Sequence, residues 1–274
     1  MAANKTVADL KGYVVALSLT GSVTPQFSRC FMEMRSYMEL NGMRNIEYDP
    51  GKYGMHVEAA RDDVAAHALK QNYDWILQVD ADATFPPDTL HRLLEHAFIH
   101  HPDAGVVGAY CQLKPEPHVP TIDTGTGTWE EHYPGEGVIP VIRTGAHCFL
   151  TKTWVFKKIG PAPWFRTRIA QRPIQAFREV DNFARCRLSG VNPLTDSPEW
   201  ATLMEMARVA SVAPESMVGE DSAFFDRCRA HNVSVLIDTD LMTGHVANHI
   251  IQPGMFRDKV RESRRLQRLA LGVG

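Results

Sequence analysis

Apolar positions along the chain change their period in a regular way. Tyr13 to Leu19 is an apolar run of the length a buried strand needs, followed by a Thr20-Gly21-Ser22 loop. Phe27, Cys30, Phe31, Met34 and Met38 then recur at helical spacing, which predicts an amphipathic helix over 25–41 packed on a sheet. A stretch rich in Gly, Tyr and Asp, 42–54, reads as a loop. Val57, Ala60, Val64 and Ala68 mark the buried face of a second helix, 56–71. Trp75, Ile76, Leu77 and Val79 form the next strand, and Pro86-Pro87-Asp88 opens a third helix with Leu90, Leu93, Leu94, Ala97 and Phe98 on one side. Val106 to Tyr110 is another strand. Residues 112–140, rich in Pro, Gly, Thr and His, are expected to cross the mouth of a site as a long loop or hairpin. Order resumes over 141–151, and a helix carrying Trp154, Val155, Phe156 and Ile159 ends at Gly160. Residues 219–232 read as a helix and Val233 to Ile237 as a strand.

Strands alternating with helices, β-α-α-β-α-β in the first part, predict an α/β fold. Its sheet is mixed and mostly parallel, with helices on both faces. Residues 166–215 are rich in Arg, contain Asn192-Pro193 and show a helical stretch from Pro198 to Val212, and read as an inserted helical lobe. The stretch 254–271, with Arg257, Lys259, Arg261, Arg264, Arg265 and Arg268, reads as a basic C-terminal helix. At 274 residues, 1–274 is expected to be a single domain carrying that lobe.

Charge and cysteine usage narrow the function classes. A formal net charge of −3 argues against a protein that coats nucleic acid, because neutralising many phosphates needs a basic surplus. The five cysteines are widely spaced, without a Cys-x-x-Cys pair, which predicts reduced thiols and a cytoplasmic protein. The first ten residues lack a charged start followed by an apolar core, and no run approaches the roughly 18 apolar residues of a membrane span.

The chemistry-bearing positions gather at element ends. Asp80 and Asp82 stand where an apolar strand stops, the place where open α/β sheets bind ligands. Two carboxylates there suit a divalent cation and the diphosphate it neutralises, although Asp-x-Asp also suits a solvated turn. Gly219-Glu220-Asp221 opens a helix, where the macrodipole favours acidic residues and where a carboxylate is also well held as a general base. Thr243-Gly244-His245-Val246 follows a strand. Imidazole is a common metal ligand, but a lone His among twelve is more often structural.

Taken in order, these segments resemble the nucleotide-sugar-dependent glycosyltransferases of the GT-A fold, close to the large inverting family 2. The resemblance spans about residues 12–165 and 217–250. It is carried by Ala60-Arg61-Asp62, the Asp-x-Asp strand, Phe85-Pro86-Pro87-Asp88, Thr144-Gly145-Ala146-His147-Cys148-Phe149-Leu150, Pro163-Trp164-Phe165, Gly219-Glu220-Asp221-Ser222-Ala223-Phe224-Phe225 and Gly244-His245-Val246.

The resemblance implies a metal-dependent transfer of a sugar from a nucleoside-diphosphate sugar to an acceptor hydroxyl, with inversion. The acceptor, whether protein, glycan or small molecule, is left open. Ser18, Thr20 and Gly21 would hold the base and ribose, Arg61 the diphosphate or base, and Asp80, Ala81 and Asp82 the ribose and phosphates. Asp82 and His245, with Asp80, would bind Mn²⁺ or Mg²⁺. Asp221 would be the catalytic base with Glu220 beside it, Gly145 and His147 would border the donor sugar, and Trp164 would stack on a sugar face. Asp62 stands where the family usually has Asn. The processive family's Gln-x-x-Arg-Trp signature is absent. Asp80-x-Asp82-x-Thr84 also resembles the opening motif of haloacid-dehalogenase-like phosphatases, but a complete strand and two helices precede it here, whereas that motif normally lies on the first strand. A non-catalytic nucleotide-sugar-binding module is a third reading.

Overall fold

The computed structural model describes residues 6–18, 23–52, 56–112, 120–125, 137–165, 168–169, 217–246 and 250–251. The first half is a repeating strand–helix unit. β1 (Gly12–Leu17) leads to α1 (Pro25–Leu40), whose N-cap Thr24 accepts the Phe27 N–H. β2 (Ile46–Lys52), α2 (Val57–Lys70) and β3 (Trp75–Asp80) follow. After the short β4 (Ala83–Thr84) come α3 (Thr89–Glu95), a π turn over His96–His100 and β5 (Ala104–Tyr110).

The second half is more irregular. β6 (Ile122–Asp123), β7 (Val138–Pro140), β8 (Arg143–Thr144) and β9 (Cys148–Lys152) precede α4 (Trp154–Lys158). Then come β10 (Arg168–Ile169), β11 (Met217–Val218), α5 (Glu220–Ala230), β12 (Ser234–Met242), β13 (Gly244–Val246) and β14 (Ile250–Ile251).

Seven strands form the central sheet in the order β2-β1-β3-β9-β5-β12-β7. β2, β1, β3, β5 and β12 run one way, while β9 and β7 run against their neighbours. The expected mixed, mostly parallel sheet between helices is therefore present. Alternation along the strands splits the core in two. Tyr13, Val15, Ile76, Val106, Phe149 and Ile237 face α2, α4 and α5, whose Val64, Phe156, Phe224 and Phe225 complete that side. Val14, Ala16, Leu77, Val79, Val107 and Leu150 face α1 and α3 through Phe27, Met34, Met38, Leu90 and Leu93.

Three expectations change. The stretch 42–54 is not wholly a loop, because β2 pairs in parallel with β1 inside it. Pro50 and Gly51 disguise it, and an edge strand tolerates a residue that cannot donate to the ladder. The stretch 112–140 contains β7 on the sheet edge and β6, which pairs with β8. β12 runs on to Met242, past Asp238, the residue that ends its apolar run in the sequence. The predicted lobe 166–215 lies outside the described residues except for β10, which pairs antiparallel with β11, and the basic helix 254–271 lies outside them entirely.

Candidate functional site

Backbone ladders assemble the site at the carboxyl end of β3. Leu17 of β1 aligns with Asp80 on one side, and on the other the β9 register pairs Val79 with Cys148. The Asp80 N–H therefore donates to the His147 carbonyl at 2.9 Å, and the Ala81 N–H to the Leu17 carbonyl at 2.8 Å. After a turn at Ala81–Asp82 the chain enters β4, which pairs with β13 so that His245 opposes Ala83. The Val246 N–H closes onto the Asp82 carbonyl at 2.7 Å. Asp80, Asp82, His147 and His245 are thereby brought together, with one possible ligand atom from each lying within 4.8 Å of the others.

The bend that delivers His245 has its own support. Asp238, 1% exposed, takes Arg92 at 2.8 Å and His96 at 3.1 Å on one oxygen. Its other oxygen accepts the Asp240 and Leu241 N–H groups. The Thr243 N–H and hydroxyl both donate to the Tyr110 carbonyl, at 3.0 and 2.8 Å.

Arg61, 2% exposed, balances the charge. Its guanidinium donates to Gln78 Oε1 at 3.0 Å, to Asp80 Oδ1 at 3.1 Å and to the Ala146 carbonyl at 2.8 Å, and lies 3.9 Å from Glu220. Burial disfavours an ionised Asp80, but the adjacent His147 and Arg61 outweigh it and hold this carboxyl below its usual range. His147 Nε2 lies 3.2 Å from the Gly244 carbonyl. A carbonyl only accepts, so Nε2 carries a proton and Nδ1 is the ring nitrogen turned toward the cluster. That Nδ1 is buried without a hydrogen-bond partner among the described residues, 3.7 Å from Asp80 Oδ2, and the His147 and His245 ring centres are 3.8 Å apart. An orphaned imidazole nitrogen beside two carboxylates and a second imidazole fits a divalent cation.

Beside the cluster opens a cavity of about 160 Å³ lined by Leu17, Ser18, Val57, Ala60, Arg61, Asp80 and Glu220. Of the two acidic residues in the first turn of α5, Glu220 lines this cavity. Burial, then the neighbouring Asp221 charge, pushes the Glu220 carboxyl above its usual value, while Arg61 pulls the other way. Asp221 Oδ1 accepts the Ser222 N–H at 2.6 Å at the helix start. α5 is anchored by Arg143, which grips both oxygens of Asp226 at 2.8 and 3.0 Å, and by the stacking of Phe224 on Phe165 at 4.4 Å.

The other expected positions divide. Ser18 and Arg61 reach the cavity; Thr20 and Gly21 lie outside the described residues. Gly145 packs on Thr121, where a Cβ would stand 3.0 Å from its hydroxyl. Trp164 is corrected: it is 6% exposed, its indole N–H donates to the Phe156 and Gly160 carbonyls, and its ring packs edge-on against Phe156, which makes it a core residue rather than a sugar platform. Asp62 has a structural task, accepting the Trp164 and Phe165 N–H groups at 2.6 and 3.0 Å. His147, expected beside a sugar, stands in the metal-competent cluster. The signal that marks it is the β9 register against β3, which a local reading of the sequence does not contain.

No protein-family model matches the chain, and no curated protein does. Among solved structures, the crystal structure of A197 from STIV is similar over 89% of this chain and 94% of that one, at 16% identity and TM-score 0.51. A glycosyltransferase involved in the glycosylation of the major capsid of PBCV-1 is similar over 57% of this chain and 69% of that one, at 11% identity and TM-score 0.32. CMP:2-keto-3-deoxy-manno-octonic acid synthetase complexed with CTP is similar over 74% of this chain and 99% of that one, at 11% identity and TM-score 0.35. At these identities the first likeness concerns the fold alone, and the chemistry rests on the side chains described above.

Proposed function

We propose that the protein is a metal-dependent glycosyltransferase that moves a sugar from a nucleoside-diphosphate sugar to an acceptor hydroxyl, with inversion. The observation that carries this reading is the convergence of Asp80, Asp82, His147 and His245 beside the cavity lined by Ser18, Arg61 and Glu220. Asp80, Asp82 and His245 would hold Mn²⁺ or Mg²⁺, and when bound the cation supplies positive charge to a departing diphosphate. Arg61 adds a fixed positive charge at the cavity wall, and Ser18 offers a hydroxyl to the nucleoside. Asp221 is assigned as the base that takes the acceptor's proton, with Glu220 as its neighbour on the cavity side. The whole chain, 1–274, acts as one catalytic domain, and the segments 166–215 and 254–271 are assigned to acceptor choice.

A phosphatase using Asp80 as nucleophile fits less well, because Arg61 holds one Asp80 oxygen at 3.1 Å and His147 faces the other at 3.7 Å. Calorimetry with nucleoside diphosphates and Mn²⁺ tests the donor side. Asp82→Asn and His245→Ala should each abolish or greatly weaken metal-dependent binding, and unchanged affinity in both variants rejects the assignment. Release of nucleoside diphosphate from nucleotide sugars, set against hydrolysis of a generic phosphomonoester, separates the transferase from the phosphatase.

A further inference from the structure

The cluster contains more imidazole than its Asp-x-Asp motif announces. His147 is 3% exposed, its Nε2–H is committed to the Gly244 carbonyl at 3.2 Å, and its Nδ1 is buried with no hydrogen-bond partner among the described residues. Leaving such a buried nitrogen unmatched is costly, so its orientation toward Asp80 calls for an occupant. The donor atoms fall within 4.8 Å of one another, close to the roughly 4.2 Å between opposite ligands of an ion bound at about 2.1 Å. A backbone carbonyl that takes the other ring N–H is the usual support of a metal-bound histidine.

We infer that His147 joins Asp80, Asp82 and His245 in a four-ligand centre that holds a divalent first-row transition-metal ion before any nucleotide arrives and discriminates against Mg²⁺. The inference deepens the transferase reading and rests on it for the role of the ion. Mg²⁺ prefers oxygen donors and keeps much of its water shell, whereas two imidazoles suit transition ions. Asp80, Asp82, His147 and His245 would hold the ion, and when bound it would supply positive charge to a diphosphate. The two carboxylates also cancel the dication's charge, so the ion does not depend on a nucleotide for neutrality.

The test uses the full chain stripped with chelator and no nucleotide. Calorimetry should show one Mn²⁺ per protein and Mg²⁺ binding at least about 10-fold more weakly. His147→Gln should weaken Mn²⁺ by about 10–100-fold or more, the range already reached on losing a hydrogen-bond partner of a metal ligand. Electron spin-echo modulation of Mn²⁺ on the unaltered protein counts coupled nitrogens without relying on a variant. Two imidazole nitrogens are expected, and one or none overturns the centre, as does Mg²⁺ binding as tightly as Mn²⁺. Adding a nucleoside diphosphate distinguishes the two readings. Two nitrogens with no diphosphate binding leave the centre standing and remove the transferase role; diphosphate binding with one nitrogen does the reverse.

Discussion

Replacing Arg61 with Met tests whether one guanidinium holds the site together. Met keeps an unbranched apolar side chain beside Phe149 and Gln78 but removes the charge and every donor. Three acceptors then lose a partner: Gln78 Oε1, the Ala146 carbonyl and Asp80 Oδ1. Gln78 is fully buried, and an unmatched buried acceptor costs about 1–3 kcal/mol. Breaking a buried ion pair by removing one partner costs about 3–5 kcal/mol. The Asp80 side chain is 31% exposed, so water recovers part of that loss and the expected total lies near the lower end, about 3 kcal/mol. Urea unfolding in chelator, followed by tryptophan fluorescence, measures it. The same experiment in Mn²⁺ carries a second expectation. With Arg61 gone, the carboxylates bind a cation more strongly, so Mn²⁺ should protect the variant more than the parent; free ion at 100 times Kd contributes about 2.7 kcal/mol. A loss below about 1 kcal/mol in chelator refutes Arg61 as the hub. Equal protection of parent and variant by Mn²⁺ refutes the charge-balance argument.

Gly12→Ala should destabilise by about 1–3 kcal/mol or more, because the added methyl meets the buried Trp75 indole across the β1–β3 ladder; a Trp75→Leu partner change should recover part of the loss in a thermal melt, and simple additivity would count against the clash. Lys152, its ammonium donating to the Pro102 carbonyl at 2.6 Å, has its pKa pushed down to about 8, first by burial. The folded protein thus gives up this proton before the unfolded chain does, so stability should rise between about pH 8 and 10.5 and fall as the pH drops through 8; Lys152→Met should flatten that slope in urea titrations. Asp221→Asn should preserve nucleoside-diphosphate binding while transfer falls about 10²–10⁴-fold, and an α-linked donor should give a β-linked product by NMR of the anomeric proton; near-parental transfer or an α-linked product would reject Asp221 as the base of an inverting displacement.

Local period carries much of this architecture. The stripe Phe27, Cys30, Phe31, Met34 and Met38 is the set of buried residues on α1, and Ala60, Val64 and Ala68 are buried on α2 as their spacing requires. What local reading misses is decided by pairing at long range. Ile46–Lys52 contains a Pro-Gly step that looks like a turn, and only its place on the edge of the sheet makes it a strand. Asp238 looks like the end of a strand because an isolated carboxylate does not stay in a core; Arg92 and His96, from a helix far back in the chain, make its burial affordable and let β12 continue. Trp164 beside a proline looks like an exposed aromatic platform, yet two carbonyls satisfy its N–H and Phe156 covers its ring.

The site follows the same division. Asp80 and Asp82 are legible because a strand end states their position, whereas His147 is not, because its proximity depends on β9 running against β3 with Val79 opposite Cys148. That register has an electrostatic consequence. It sets the His147 imidazole against Asp80, and Arg61 lies in ion-pair range of both Asp80 and Glu220. A guanidinium shared between two carboxylates, with Asp82 close by, leaves the pocket short of positive charge. On the donor chemistry proposed above, a diphosphate entering beside these carboxylates would be repelled unless a cation entered first or with it. A nucleoside diphosphate offered to chelated protein should therefore bind far more weakly than one offered after Mn²⁺.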